Sequence, residues 1–135
     1  MLSEEQIKTI KTKLKKYEEI KAVYLYGSFA KDREDERSDI DLALLLGKKD
    51  DLDLRDLAKI ALELEKELNR EVDLRKLSNN DIRFVNNVLN NSKLLFSRDE
   101  RYRKDFEAKT LIKYLDMKPM IEKFDERNKR EIKNE

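Results

Sequence analysis

Gly27 and Ser28, then a ten-residue spacer, then Asp39-Ile40-Asp41 are the residues of this chain best suited to chemistry. A Gly-Ser turn can grip a phosphate. Glycine lets the backbone come close, and the serine hydroxyl can donate to a phosphate oxygen. Paired carboxylates hold hard divalent cations. Asp39 and Asp41 stand at the mouth of an apolar run, Ile40–Leu46, that reads as a buried strand. Strand side chains alternate faces, so the two acids share one face while Ile40, Leu42 and Leu44 take the other. Like charges held side by side cost stability unless a cation offsets them.

Phosphoryl and nucleotidyl transfer present this kind of charge problem. The polyphosphate is already negative, and more charge develops on the leaving diphosphate. Two metal ions about 3.5–4 Å apart can hold the attacking and leaving oxygens together, which calls for a third carboxylate. Asp73, in Glu71-Val72-Asp73-Leu74, is the expected one. With Val72 and Leu74 turned to a core, Asp73 faces the other way, on a strand able to lie beside Ile40–Leu46. It would act as general base or orient an acceptor hydroxyl. Lys31, Arg33 and Arg37 are candidates for neutralising a triphosphate.

Composition narrows the choices. The chain has 135 residues, 45% charged and 39% hydrophobic, with 31 basic against 30 acidic side chains and a net charge of +1. That balance, with no basic stripe, argues against direct nucleic-acid binding. There is no cysteine and no histidine. Disulfides, zinc sites of the usual kind, cysteine nucleophiles and histidine bases are thereby excluded. The remaining hard oxygen ligands favour two magnesium ions, with manganese as the substitute. Met1-Leu2-Ser3-Glu4-Glu5-Gln6 has neither a basic start nor an apolar run. No apolar segment approaches the roughly 18 residues of a membrane span. The expectation is a cytoplasmic protein that does not engage membranes.

The elements that must position these residues follow from periodicity. Ser3 to Tyr17 reads as an amphipathic helix with Ser3 and Gln6 as a capping box and Ile7, Ile10, Leu14 and Tyr17 as its stripe. Ala22 to Tyr26 is a short strand ending at Gly27, with a short helix beginning near Phe29, and 32–37 is a charged loop. Asp53 to Asn69 is the clearest helix, with Leu57, Ile60, Ala61, Leu64 and Leu68 on one face. A strand over 71–75 follows, then a helix capped by Ser78 or Asn79 and an edge strand over 93–96. A helix over 99–116 carries Ala108, Leu111, Ile112 and Leu115 in phase. Pro119 starts a last helix with Met120, Ile121 and Phe124, and 125–135 is expected to fray. The whole is one domain, 1–135, with a core over about 1–98 and a helical extension over about 99–135. Its class is α/β (α+β): a small mixed β-sheet with packed helices.

Tyr26-Gly27-Ser28-Phe29-Ala30-Lys31 together with Ser38-Asp39-Ile40-Asp41-Leu42-Ala43 resembles the DNA polymerase β-like nucleotidyltransferase superfamily, whose signature is a Gly-Ser pair, a short spacer and Asp-x-Asp or Asp-x-Glu. More narrowly the chain is similar to the minimal nucleotidyltransferases, the MNT or MntA-type antitoxins. The Val72-Asp73-Leu74 strand and the segment from Tyr102 to Pro119 fit that pattern. The resemblance implies an enzyme that takes ATP and magnesium and transfers AMP to a tyrosine of a HEPN ribonuclease toxin, with which it would form a hetero-oligomer. It implies that Gly27 and Ser28 bind the nucleotide phosphates and that Asp39, Asp41 and Asp73 bind metal at the catalytic centre; Lys31 and Arg37, by their position near the turn, are the expected cations on the nucleotide. Many relatives have glycine two positions after Ala30, where this chain has Asp32. Two alternatives stand beside this reading: a small-molecule nucleotidyltransferase of the aminoglycoside-modifying kind, and a non-catalytic module that masks a toxin.

An antitoxin needs a surface for its partner. Tyr102, Phe106, Tyr114, Met117, Met120 and Phe124 stand out in an otherwise charged C-terminal region. Part of this set, with loop 32–37, is the expected docking face.

Overall fold

The computed structural model describes residues 1–133, with side chains as far as Arg130. The element order is α1 (Glu4–Lys15), β1 (Ile20–Tyr26), a single 3₁₀ turn (Gly27–Phe29), β2 (Ile40–Leu46), α2 (Leu54–Leu68), β3 (Val72–Lys76), α3 (Ile82–Asn90), β4 (Lys93–Ser97) and α4 (Glu100–Lys133). The four strands form one mixed sheet in the order β3-β2-β1-β4. β1 is antiparallel to both neighbours, and β2 runs parallel to β3. β4 is the expected edge strand.

Local signals set the first elements. Ser3 and Gln6 exchange hydrogen bonds as a capping box at the start of α1. Asp53 and Asp56 do the same for α2, and Asn69 closes that helix in the left-handed region at φ 53°. Ile10 and Leu14 of α1, and Leu57, Ile60, Leu64 and Leu68 of α2, are buried against one face of the sheet, on Val23, Leu25, Ile40, Leu42 and Leu44. On the other face, Val85 and Val88 of α3, with Tyr102 and Phe106 of α4, cover Ala22, Tyr24, Ala43 and Leu45. β2 is therefore buried on both sides beyond its first residues, as its nearly continuous apolar sequence requires.

Three expectations need correction. The helix after β3 is capped by Asp81, whose carboxylate accepts from the Phe84 N–H, and not by Ser78 or Asn79. Ser78 instead accepts from the backbone N–H groups of Asn80 and Asp81 in a preceding turn. The short helix after β1 is a three-residue 3₁₀ turn that starts at Gly27, not an α-helix from Phe29. The two C-terminal helices are one: α4 passes through Pro119 without a break and runs on to Lys133, and the end of the stretch expected to fray, residues 134–135, lies outside the described residues. The half-buried residues Met117, Ile121, Asp125 and Asn128 keep a single helical phase across the proline. A stop there would leave that face uncovered, and this outweighs the one amide hydrogen bond that proline cannot make.

Candidate active site

Parallel pairing of β2 with β3 places Asp41 directly opposite Asp73, and Ile40 opposite Val72. The Ile40 N–H donates to the Glu71 carbonyl, which extends the same register back to Asp39 and Glu71. Two rungs of acids, Asp39 beside Glu71 and Asp41 opposite Asp73, thus stand on the sheet face that α3 and α4 cover farther along. Burial and alternation explain the placement. Ile40, Leu42, Val72 and Leu74 fill the core beneath α2, so their odd-numbered neighbours must face the other way.

Crowding shows in the electrostatics. Partial burial, then the Asp73 charge, then the Asp39 charge push the Asp41 carboxyl up to about 6, against a weaker opposing pull from Arg75. Glu71 lies above the usual carboxylate range because of the Asp39 charge and a hydrogen bond between the two side chains. Tyr26, the cross-strand partner of Asp41, is pushed up to about 12 by burial first and by Asp41 and Asp73 next. Its ring meets Phe84 of α3 edge-on, with centroids 5.5 Å apart. The Arg75 guanidinium lies 3.8 Å from the centre of the Phe84 ring. Tyr26, Phe84 and Arg75 therefore wall the acids on the α3 side.

The Gly-Ser turn closes the opposite side. Gly27 has φ 74°, a left-handed conformation suited to glycine. A side-chain carbon built there would stand 2.3 Å from Asp41 Oδ2. Only a glycine lets β1 end this close to the Asp41 carboxylate. The Ser28 carbonyl accepts from the N–H groups of Lys31 and Arg33, while its hydroxyl has no partner among the described residues and is free to donate outward.

The loop between the turn and the acids is less free than its charge suggests. Arg70 Nη1 donates to the carbonyls of Asp35 and Ser38 at 2.9 and 2.8 Å. Its guanidinium also lies 5.0 Å from the centre of the buried Phe29 ring. One side chain thus ties both ends of the loop. Arg37, Asp39, Arg70 and Glu71 share a small cleft. Lys31, Arg33 and Arg37 are exposed, and their side chains have no hydrogen-bond or ion-pair partner among the described residues. The structure places Arg37 beside Asp39 in the cleft; Lys31 stays with the Gly-Ser turn.

Asp32 occupies a left-handed position, φ 53°, the conformation that favours a glycine there. Its carboxylate pairs with Lys93 on the edge strand at 3.4 Å, and so is directed to β4.

The hard oxygen donors on this face, and the mutual repulsion that Arg75 only partly offsets, fit magnesium or manganese. Among the described residues no three acidic side chains, as they stand, are gathered tightly enough to hold an ion. Backbone register, and not the present side-chain torsions, brings them to one face. Glu71, Arg70, Tyr26 and Arg75 escaped sequence reasoning. For Glu71 the signal was present in its spacing of two from Asp73; for Arg70, partners more than thirty residues away left none.

The expected docking set divides. Tyr102 donates its hydroxyl to the Leu46 carbonyl, and Phe106 packs on the sheet. Tyr114 and Met117 are half-buried, whereas Met120 and Phe124 are exposed. Among the described residues no helix is long and apolar enough to cross a membrane.

A family model described as "Polymerase beta, Nucleotidyltransferase" matches residues 8–101. No curated protein sequence matches. Among solved structures, the chain is similar to a toxin–antitoxin with AMP-PNP, at 23% identity and a TM-score of 0.75 over 90% of this chain and 96% of that one. It is similar to the structure of a tri-AMPylated Shewanella oneidensis HEPN toxin in complex with MNT antitoxin, at 22% identity and a TM-score of 0.72, covering 93% and 98% of the two chains. An MntA–HpeT toxin–antitoxin mutant gives 25% identity and a TM-score of 0.72, covering 94% and 98%. These likenesses show a common fold, the mixed sheet with its helices.

Proposed function

Because the chain belongs to the polymerase beta nucleotidyltransferase family, we propose that it transfers AMP from ATP to a tyrosine of a HEPN-type toxin and acts as that toxin's antitoxin. The observation that carries this reading is the Asp41–Asp73 rung, with Gly27 packed against Asp41. It sets the Gly-Ser turn and the paired carboxylates at one sheet end, which supports a role for the turn in holding phosphate. The described toxin–antitoxin structures, one with AMP-PNP and one with an AMPylated toxin, support the choice of nucleotide and acceptor.

Each residue then has a task. The free Ser28 hydroxyl donates to a phosphate oxygen, and the exposed Lys31, Arg33 and Arg37 offset the triphosphate charge. Asp39 and Asp41, with Asp73, would hold magnesium, or manganese in its place. Such ions lower the acceptor's pKa and offset charge on the departing diphosphate. Asp73 orients the acceptor phenol and takes its proton as the oxygen bonds to the α-phosphorus and the bond to diphosphate breaks. A HEPN toxin bound beside loop 32–37 would present its tyrosine to this face.

The test is incubation of the purified chain with labelled ATP, magnesium and the toxin. Label should appear on the toxin, and replacing both Asp39 and Asp41 by Ala should abolish it. ATP binding with no transfer to the toxin would leave only a masking role.

A further inference from the structure

The apolar residues Ala108, Leu111, Ile112, Leu115 and Pro119 recur at spacings of three, one, three and four along α4, which makes one stripe. The stripe does not pack on the sheet. Leu111 is 53% exposed, Ile112 61% and Leu115 55%, and Ala108 and Pro119 are exposed too. The face that packs is the opposite one, through Phe106, Thr110, Tyr114 and Met117. α4 therefore carries a second apolar face on its outer side.

The charges at the two ends of this stripe identify what covers it. Arg101 and Lys104 continue it toward the N-terminus of α4, and Glu122 and Glu126 continue it toward the C-terminus. Asp105 and Lys123 flank it on one side. The pattern is complementary to its own reverse. An antiparallel copy centred between Lys113 and Tyr114 sets Lys104 against Glu122, Arg101 against Glu126 and Asp105 against Lys123, with Leu111 against Leu115 in the middle. A parallel copy would set Arg101, Lys104, Glu122 and Glu126 each against its own like charge. Arg101, Lys104, Lys123 and Glu126 have no ion-pair partner among the described residues, while Asp105 and Glu122 make only exposed i,i+4 pairs, with Lys109 at 2.9 Å and Lys118 at 3.9 Å, which a partner helix can replace.

We infer that two copies of this chain associate through antiparallel pairing of the outer faces of α4, about a two-fold axis near residues 113 and 114. The contact is isologous, so it closes at two copies. The apolar part spans only about three helical turns, which places the association in the weak, small-interface class. The acids at the end of the sheet do not take part, so the inference stands apart from the proposed transfer activity.

Sedimentation of the full chain over a micromolar concentration series tests this. The expected result is a monomer–dimer equilibrium. Leu111→Glu with Leu115→Glu should yield monomer only, with an unchanged circular dichroism spectrum because both positions face solvent. Lys104→Glu should weaken association about tenfold or more by opposing like charges. Adding Glu122→Lys to that variant should restore it, which a merely structural role for either residue would not do. A chain monomeric at every concentration, or a dimer indifferent to the leucine pair and to the charge swap, would overturn the inference. So would a monomer whose binding to the toxin is lost in the leucine variant, since the stripe would then belong to the toxin.

Discussion

Gly27 and Asp41 stand so close that a methyl group on the glycine would lie 2.3 Å from Oδ2 of the carboxylate. The first half of the Gly-Ser motif is therefore placed by the second half of the Asp-x-Asp motif. Gly27→Ala should do two separable things. The left-handed backbone, φ 74°, costs a non-glycine residue about 1–2 kcal/mol, which should appear as a lower Tm. The clash should also turn the Asp41 carboxylate aside, so nucleotidyl transfer should fall far more than stability does. Full activity in a soluble Gly27→Ala protein would contradict this.

Asp41 makes stability depend on pH in an unusual direction. Its pKa is about 3.9 in an unfolded chain and about 6 here. Between those values the folded state keeps a proton that the unfolded state has lost, so stability falls as pH rises through the window. Asp41→Asn should flatten this part of the Tm–pH profile and leave the fold intact, as should replacing both Asp39 and Asp41 by Ala. Magnesium, which binds the ionised form, should raise Tm more above pH about 6 than below it. Thermal melts with and without metal check both signs; an Asp41-dependent gain in stability from acid to neutral pH would refute the assignment.

Ser28→Ala removes a hydroxyl that has no partner among the described residues, so stability should barely change. A hydrogen bond to a charged phosphate contributes about 1.5–3 kcal/mol. ATP affinity or turnover should therefore drop roughly ten- to a hundredfold, with metal binding preserved. Unaltered ATP kinetics would mean that the turn does not hold the triphosphate.

Arg70→Ala cuts both hydrogen bonds to the Asp35 and Ser38 carbonyls and the contact with Phe29. Amide exchange should quicken over 32–38, and KM for ATP should rise, because Arg37 and Asp39 sit on the released segment. Arg70→Lys should rescue only in part, since an ammonium lacks the planar fork. No change in exchange over that loop would show that other contacts order it.

The sequence by itself determined the pieces whose causes lie within a few residues. Alternation along Ile40–Leu46 put Asp39 and Asp41 on one face, and the helix caps at Ser3 and Asp53 set the starts of α1 and α2. The family signature, confined to Gly27–Asp41, was legible for the same reason. Tertiary structure decided the rest. Asp73 became the partner of Asp41 only through the parallel register of β2 and β3, and Arg70 reached the loop only because α2 returns the chain beside it. Asp32 was settled by Lys93, sixty-one residues away, on an edge strand. The stripe through Leu111 and Leu115 makes the limit plainest. Periodicity reveals that a helix has an apolar face, but α4 has two. Which of them packs on the sheet depends on where Tyr24, Leu46 and Asn79 offer partners, and that information is not local to the helix.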